Sequence, residues 1–227
     1  MAAGAGAGRL SDRQRLAWLR LIRTDNVGPA TFRDLINRFG SAERALEALP
    51  ELMRSGGARR VAVCTAEAAE AEMEATAAHG ARMIAVGEPD YPPLLRVMEH
   101  PAPLITVIGV AAVFALPTLA IVGARNASLA GIKLARSFAA ALGREGYAVA
   151  SGMARGIDAA AHEGALSTGT IAVLAGGIDK PYPPENHGLY EEIPRHGGAV
   201  MTEMPFGWEP GSPTGWSWSR RRGVPAR

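Results

Sequence analysis

Leu119-Ala120-Ile121-Val122-Gly123-Ala124-Arg125-Asn126-Ala127-Ser128 is a run of β-type apolar residues that breaks on a glycine, presents one arginine and enters a helical pattern at a serine. Two further runs repeat the plan. Residues 147–150 pass into Ser151-Gly152-Met153-Ala154-Arg155-Gly156-Ile157-Asp158, and residues 170–174 pass into Ala175-Gly176-Gly177. Strands alternating with helical stretches predict right-handed βαβ units in a parallel sheet, whose carboxyl-end loops face one crevice. Three glycine turns are therefore expected to converge.

The expected fold class is α/β, an extended Rossmann-like parallel sheet preceded by a small helical domain. Working outward, the helix over 128–142 carries Leu134, Ala135, Phe138, Ala141 and Leu142, a set expected to cover one face of the sheet. The amino end of that helix directs free N–H groups and the positive end of its dipole toward the crevice, where an anion fits. Gly123 lets the backbone approach such an anion, Arg125 adds a planar charged fork, and Ser128 either caps the helix or donates to phosphate.

In the second turn Asp158 is placed to cap a helix start, with His162 four residues on. A metal pair or a Ser151-Asp158-His162 hydrolase can be drawn from these residues. A metal needs further ligands, however, and Ser151 is not in a nucleophile elbow. A capped helix whose histidine braces the glycine loop is the reading adopted, with no catalytic residue and no metal assigned. The third turn, residues 176–186, is stiffened by prolines and places Tyr182 beside the crevice, either to stack a nucleobase or to pack under its loop. The first turn lacks the Gly-x-Gly-x-x-Gly spacing, and no acidic residue follows the strand at 149–150. No Gly-Lys-Ser or Gly-Lys-Thr occurs either, so NAD and ATP are disfavoured and no cofactor is expected.

The chain has 227 residues, 48% hydrophobic and 20% charged, enough for one substantial core and a small companion domain. Its net charge of +2 does not announce a nucleic-acid partner. Four arginines and no acidic residue lie in the tail 211–227, so the chain without that tail is net negative. A lone cysteine, Cys64, rules out a disulfide framework and fits a reducing compartment, with the cytoplasm as the expected location. Residues 101–124 carry no charge over a length that could span a bilayer. Pro103, Gly109 and Pro117 instead favour two buried parallel strands, 104–108 and 119–122, and no membrane partner.

The expected organisation is a leader over 1–10, a helical domain over 11–57, a Rossmann-like domain over 58–210 and an irregular basic tail over 211–227. Ser11-Asp12 begins a helix carrying Leu16, Leu19 and Ile22. Gly28-Pro29 then leads to a second helix with Phe32, Leu35, Ile36 and Phe39 on one face, and a third follows over 42–49. Helix, Gly-Pro turn and helix make a helix-hairpin-helix or SAM-like unit. Its turn either meets a DNA phosphate or simply stops one helix and starts the next. Ser55-Gly56-Gly57 is a linker signal, 65–79 a packing helix, and 82–86 a strand.

Taken together, residues 120–128, 151–162 and 175–179, with Tyr182-Pro183 and Asn186, resemble the bacterial DNA-processing protein A family, also called DprA or Smf. Asp90-Tyr91-Pro92-Pro93-Leu94-Leu95 and residues 197–205 are similar to its pattern too, and the likeness covers about residues 15 to 209. The resemblance implies a homodimeric single-stranded DNA-binding protein that protects incoming DNA and passes it to the RecA recombinase during natural transformation, and that is not an enzyme. It places Gly123, Arg125, Ser128, Gly152, Gly156 and Asp158 in the matching pocket motifs, Arg125 foremost, and the expected DNA-phosphate site adds Asn126, Arg155, Gly176 and Gly177. The competing expectation is a nucleotide or phosphoribosyl hydrolase on the same fold, using Asp158 and His162. After Glu209-Pro210 the family pattern continues into a Phe-Pro-x-Arg-Asn-Arg segment, whereas here a Gly-, Ser-, Pro-, Trp- and Arg-rich stretch follows. That change is expected to mark a truncated or frameshifted product and a poor dimer with an unpaired sheet edge.

Overall fold

The structure, a computed structural model, describes residues 8–55 and 62–209. The leader up to residue 7, Gly56-Gly57 and the tail 211–227 lie outside the described residues. Helix α1 (Asp12–Arg23) starts on a reciprocal cap: the Ser11 side chain accepts from the Gln14 N–H while the Gln14 side chain accepts from Ser11 N–H. Gly28 precedes α2 (Pro29–Phe39), where Pro29 occupies the first turn and loses no hydrogen bond by lacking an N–H. Helix α3 (Ala42–Ser55) runs past the expected end at residue 49 and carries Pro50 within it. Leu19, Ile22, Phe32, Ala45, Leu46 and Leu49 close a core between the three helices, and Trp18 packs edge-on against Phe32 with ring centroids 5.0 Å apart.

The same core continues into Met83, Ala85 and Leu104, so the bundle seals one end of the sheet. Between them runs α4 (Ala66–Ala78), capped by Thr65 and packed on both α1 and the first strand. The Gly-Pro turn is closed internally. Asp25 N–H donates to Ala62 O at 3.2 Å, Val27 N–H to Thr24 O at 3.1 Å, and the Asp25 carboxylate accepts from Ala62 N–H at 3.2 Å. Arg23 is clamped by Glu72 at 2.8 Å, and the exposed Arg33 donates to the backbone carbonyl of Glu99.

The strands are β1 (Arg82–Ala85), β2 (Leu104–Gly109), β3 (Thr118–Ala120), β4 (Ala148–Ser151), β5 (Thr170–Val173) and β6 (Ala199–Thr202), in sheet order β1-β2-β6-β5-β4-β3. β3, β4, β5 and β6 are parallel, as the βαβ pattern predicts. β2 runs antiparallel to both β6 and β1, so the sheet is mixed. Strands 104–108 and 119–122 are therefore not a parallel pair. They run in opposite senses with three strands between them, and β3 is an edge, with Leu119 within it and Val122 just past it exposed. The uncharged stretch 101–124 makes β2, a short 3-10 turn (Ala111–Ala115) and β3, and among the described residues no helix is long and apolar enough to cross a membrane.

Short α5 (Pro93–Arg96) follows β1; α6 (Leu129–Arg144), α7 (Ile157–Ala165) and α8 (His187–Arg195) connect the parallel strands. α6 does not cover the sheet with Leu134 and Phe138, which are exposed. It buries Ala135, Ala139 and Gly143 and lies chiefly against α7, where Ala161 and Gly164 permit a close backbone approach. Small residues on both helices win over large ones because the larger side chains would hold the axes apart.

Candidate nucleic-acid interface

Arg125, Gly152, Ala154, Arg155, Ala175, Gly176, Tyr182 and Pro183 line one cleft at the carboxyl ends of β3, β4 and β5. Arg125 is exposed and, among the described residues, makes no hydrogen bond or ion pair. Arg155 reaches Glu185 at 3.6 Å and Lys180 reaches Glu209 at 3.5 Å, with every side chain in both pairs well exposed. Pairs of this kind are screened and contribute about 0–1 kcal/mol each, so an incoming anion displaces them at little cost.

Under the cleft Asp158 works as a staple. It is buried, its Oδ1 accepts from Gly123 N–H at 3.3 Å, and its Oδ2 accepts from the N–H groups of Gly152 at 3.2 Å and Ala154 at 3.4 Å. It therefore does not cap its own helix: the residue before α7 is Gly156, and the carboxylate reaches back to join the first two glycine turns. The N–H groups of Gly123 and Gly152 are already bound, and a side chain at Gly123 would come within 2.7 Å of Ile157 Cγ1, so the glycine is required by loop-on-loop packing. Gly156, at φ +77°, abuts the carbonyls of Ala124 and Arg125 from the other side.

The remaining expected residues stand outside the cleft lining. Ser128 caps α6 by accepting from Gly131 N–H at 3.2 Å, and Asn126 is exposed in the turn beside Arg125. Gly177 donates to Trp208 O and sits against the segment after β6. Met153, fully buried with φ +61°, holds a backbone conformation that costs a non-glycine residue on the order of 1 kcal/mol. Asn186 Nδ2 secures it by donating to Met153 O at 2.8 Å and Ala154 O at 3.1 Å. Asn186 lies in the motif that carries the family resemblance, yet nothing local to it announces a clamp 33 residues away.

The hydrolase geometry is not assembled. Ser151 Oγ donates to Ile121 O at 2.6 Å, Asp158 holds backbone N–H groups, and His162 is fully buried against Thr170 with Nδ1 at 2.7 Å from Oγ1. Thr170 donates its hydroxyl proton to Val149 O, so Oγ1 accepts from His162 Nδ1–H, and among the described residues Nε2 has no partner at hydrogen-bond geometry. Burial, the largest influence, outweighs the Asp158 charge and the Ser151 backbone and pulls the imidazole down to about 4. Among the described residues no three His, Cys, Asp or Glu side chains are grouped to hold a metal.

A mixed six-stranded sheet flanked by helices, with a helical domain at one end and an arginine-lined cleft at its strand ends, defines a Rossmann-like α/β protein. The family model of DNA recombination-mediator protein A matches residues 82–221, and that of a DprA-like N-terminal HHH domain matches residues 12–75. The chain belongs to the DNA recombination-mediator protein A family. Protein Smf of Synechocystis is 28% identical over 214 residues, covering 88% of this chain and 54% of the relative. The chain thus spans about half the length of that curated relative. The solved DprA of Streptococcus pneumoniae superposes with a TM-score of 0.58 at 24% identity, over 88% of this chain and 65% of that one. DNA processing protein A of Helicobacter pylori, solved for its single-stranded DNA binding mode, gives a TM-score of 0.52 at 24% identity, over 57% of this chain and 58% of that one. At these identities the likeness of the two solved structures is one of fold.

Proposed function

We propose that the cleft binds the phosphate backbone of single-stranded DNA, with Arg125 as the leading contact, and that the protein acts as a recombination mediator that protects incoming DNA and loads the RecA recombinase. The observation that carries this reading is the exposed Arg125, unpaired among the described residues, in a cleft it lines together with Arg155, which is itself held only by an exposed carboxylate. Family membership and the single-stranded DNA binding of the Helicobacter pylori protein support DNA as that anion. Handover to RecA belongs to the same proposal and is read by recombinase filament assembly on protein-coated DNA.

Fluorescence anisotropy with a labelled oligonucleotide at several salt concentrations tests the DNA contact. Affinity falls steeply with salt, and Arg125→Ala weakens binding and lowers the logarithmic salt slope by about 0.7, the share of one phosphate contact on a single strand. Binding that is absent or indifferent to salt overturns the reading.

A further inference from the structure

We infer that Tyr182 is a base platform: its ring takes the face of an unpaired nucleobase while Arg125 holds a neighbouring phosphate, so the cleft selects single strands over duplex. The inference rests on the DNA reading of the same cleft and adds what that strand must expose. The sequence left two roles open for Tyr182, stacking or packing under its loop. The side chain is 54% exposed and lines the cleft with Arg125, which removes the second role. Its hydroxyl has no hydrogen-bond partner among the described residues, unlike Tyr91, which donates to Ala102 O, and Tyr190, which donates to Ile178 O.

The ring is also set in advance. Pro181 precedes it and Pro183 and Pro184 follow it, which restricts the backbone on both sides. The next residues run into Asn186, whose amide is pinned to Met153 and Ala154 in the second glycine turn. A large apolar surface held out in water on a stiffened loop, beside a free guanidinium, matches the pairing of aromatic platform and cationic groove that binds single-stranded nucleic acid without sequence preference. A duplex keeps its base faces stacked on one another and offers the ring nothing to cover.

The test uses the full chain and oligonucleotides carrying 2-aminopurine, whose fluorescence is quenched on stacking. Wild type quenches the probe on binding, Tyr182→Phe retains the quench, and Tyr182→Leu loses it with an affinity about tenfold weaker. Wild type also binds an abasic oligonucleotide of the same length about tenfold more weakly than the intact one, whereas Tyr182→Leu binds the two alike. Quenching and affinity unchanged in Tyr182→Leu, or equal binding of abasic and intact strands by wild type, overturns the platform and leaves the phosphate site standing. Failure of wild type to bind any oligonucleotide overturns both.

Discussion

At the seam between helical bundle and sheet, Arg15 and Arg23 keep only 14% and 10% of their side chains exposed, and each has a carboxylate within 2.8 Å. At the cleft, Arg125 has no partner among the described residues and Arg155 meets its carboxylate only at 3.6 Å in open solvent. One residue type thus does two jobs. Where water is excluded, the guanidinium must be fully paired because an unmatched charge there is severely penalised, and the pair becomes part of the structure. Where water is present, the same group stays available to a ligand because nothing in the fold depends on it. The difference lies in burial and partner distance, and mutation separates the two groups.

The largest effect is expected at the seam. Glu88 is buried and accepts from Arg15 at 2.7 Å, from Leu10 N–H at 2.9 Å and from Ala85 N–H at 3.0 Å. Burial by itself would raise its carboxyl, but Arg15 and the two backbone donors more than offset this and hold it below the ordinary value. Arg15→Ala leaves that carboxylate buried and unmatched, and also removes the donors to Met83 O and Leu10 O. The expected loss is about 3–5 kcal/mol in urea unfolding, little changed by added salt. A loss under about 1 kcal/mol would mean that the seam behaves like a surface and would break the comparison.

Next comes His162, a fully buried titratable group on α7 that packs against Thr170. The unfolded imidazole takes its proton near 6.5, whereas the native one stays neutral until about 4. Between those values the unfolded chain binds more protons, so stability falls as pH falls, at up to about 1.4 kcal/mol per unit and about 3 kcal/mol in all. Above 6.5 this contribution is fully present. Unfolding measured across that interval shows a steeper decline for wild type than for His162→Gln, which starts less stable and declines more gently. Parallel curves would contradict a neutral histidine on Thr170.

Much of this contrast was hidden in the sequence. The glycine breaks after β3, β4 and β5 were legible because strand, turn and helix signals are local, and they placed Arg125, Gly152 and Gly176 around one cleft. Which arginine is buried was not legible, since Glu88 stands 73 residues from Arg15. The reversal of β2 was hidden for the same reason: its apolar run fits a buried strand in either sense, and the pairing with β6 that decides the sense is remote. For α6, apolarity pointed to Leu134 and Phe138, while the contact with α7 selected for small size at Ala135, Ala139 and Gly143. Asp158 was legible as a carboxylate near a helix start. Its reach to Gly123 and Gly152 depends on how closely two loops approach, and no spacing rule encodes that distance.

The smallest structural effect, and the sharpest division between the two groups, is expected at Glu185. Its carboxylate is 60% exposed, lies 3.6 Å from Arg155, where the proposed DNA phosphate would compete with it, and sits on a short 3-10 turn (Pro184–Asn186) whose backbone is secured by Asn186 rather than by the ion pair. Glu185→Gln therefore changes unfolding stability by less than about 0.5 kcal/mol. It removes a like charge from the path of the DNA, so oligonucleotide affinity rises about two- to fivefold at low salt, and the gain fades as the Debye length shrinks. Opposite behaviour, with stability lost and affinity unchanged, would place Arg155 with Arg15 as a structural cation and leave Arg125 to hold the phosphate alone.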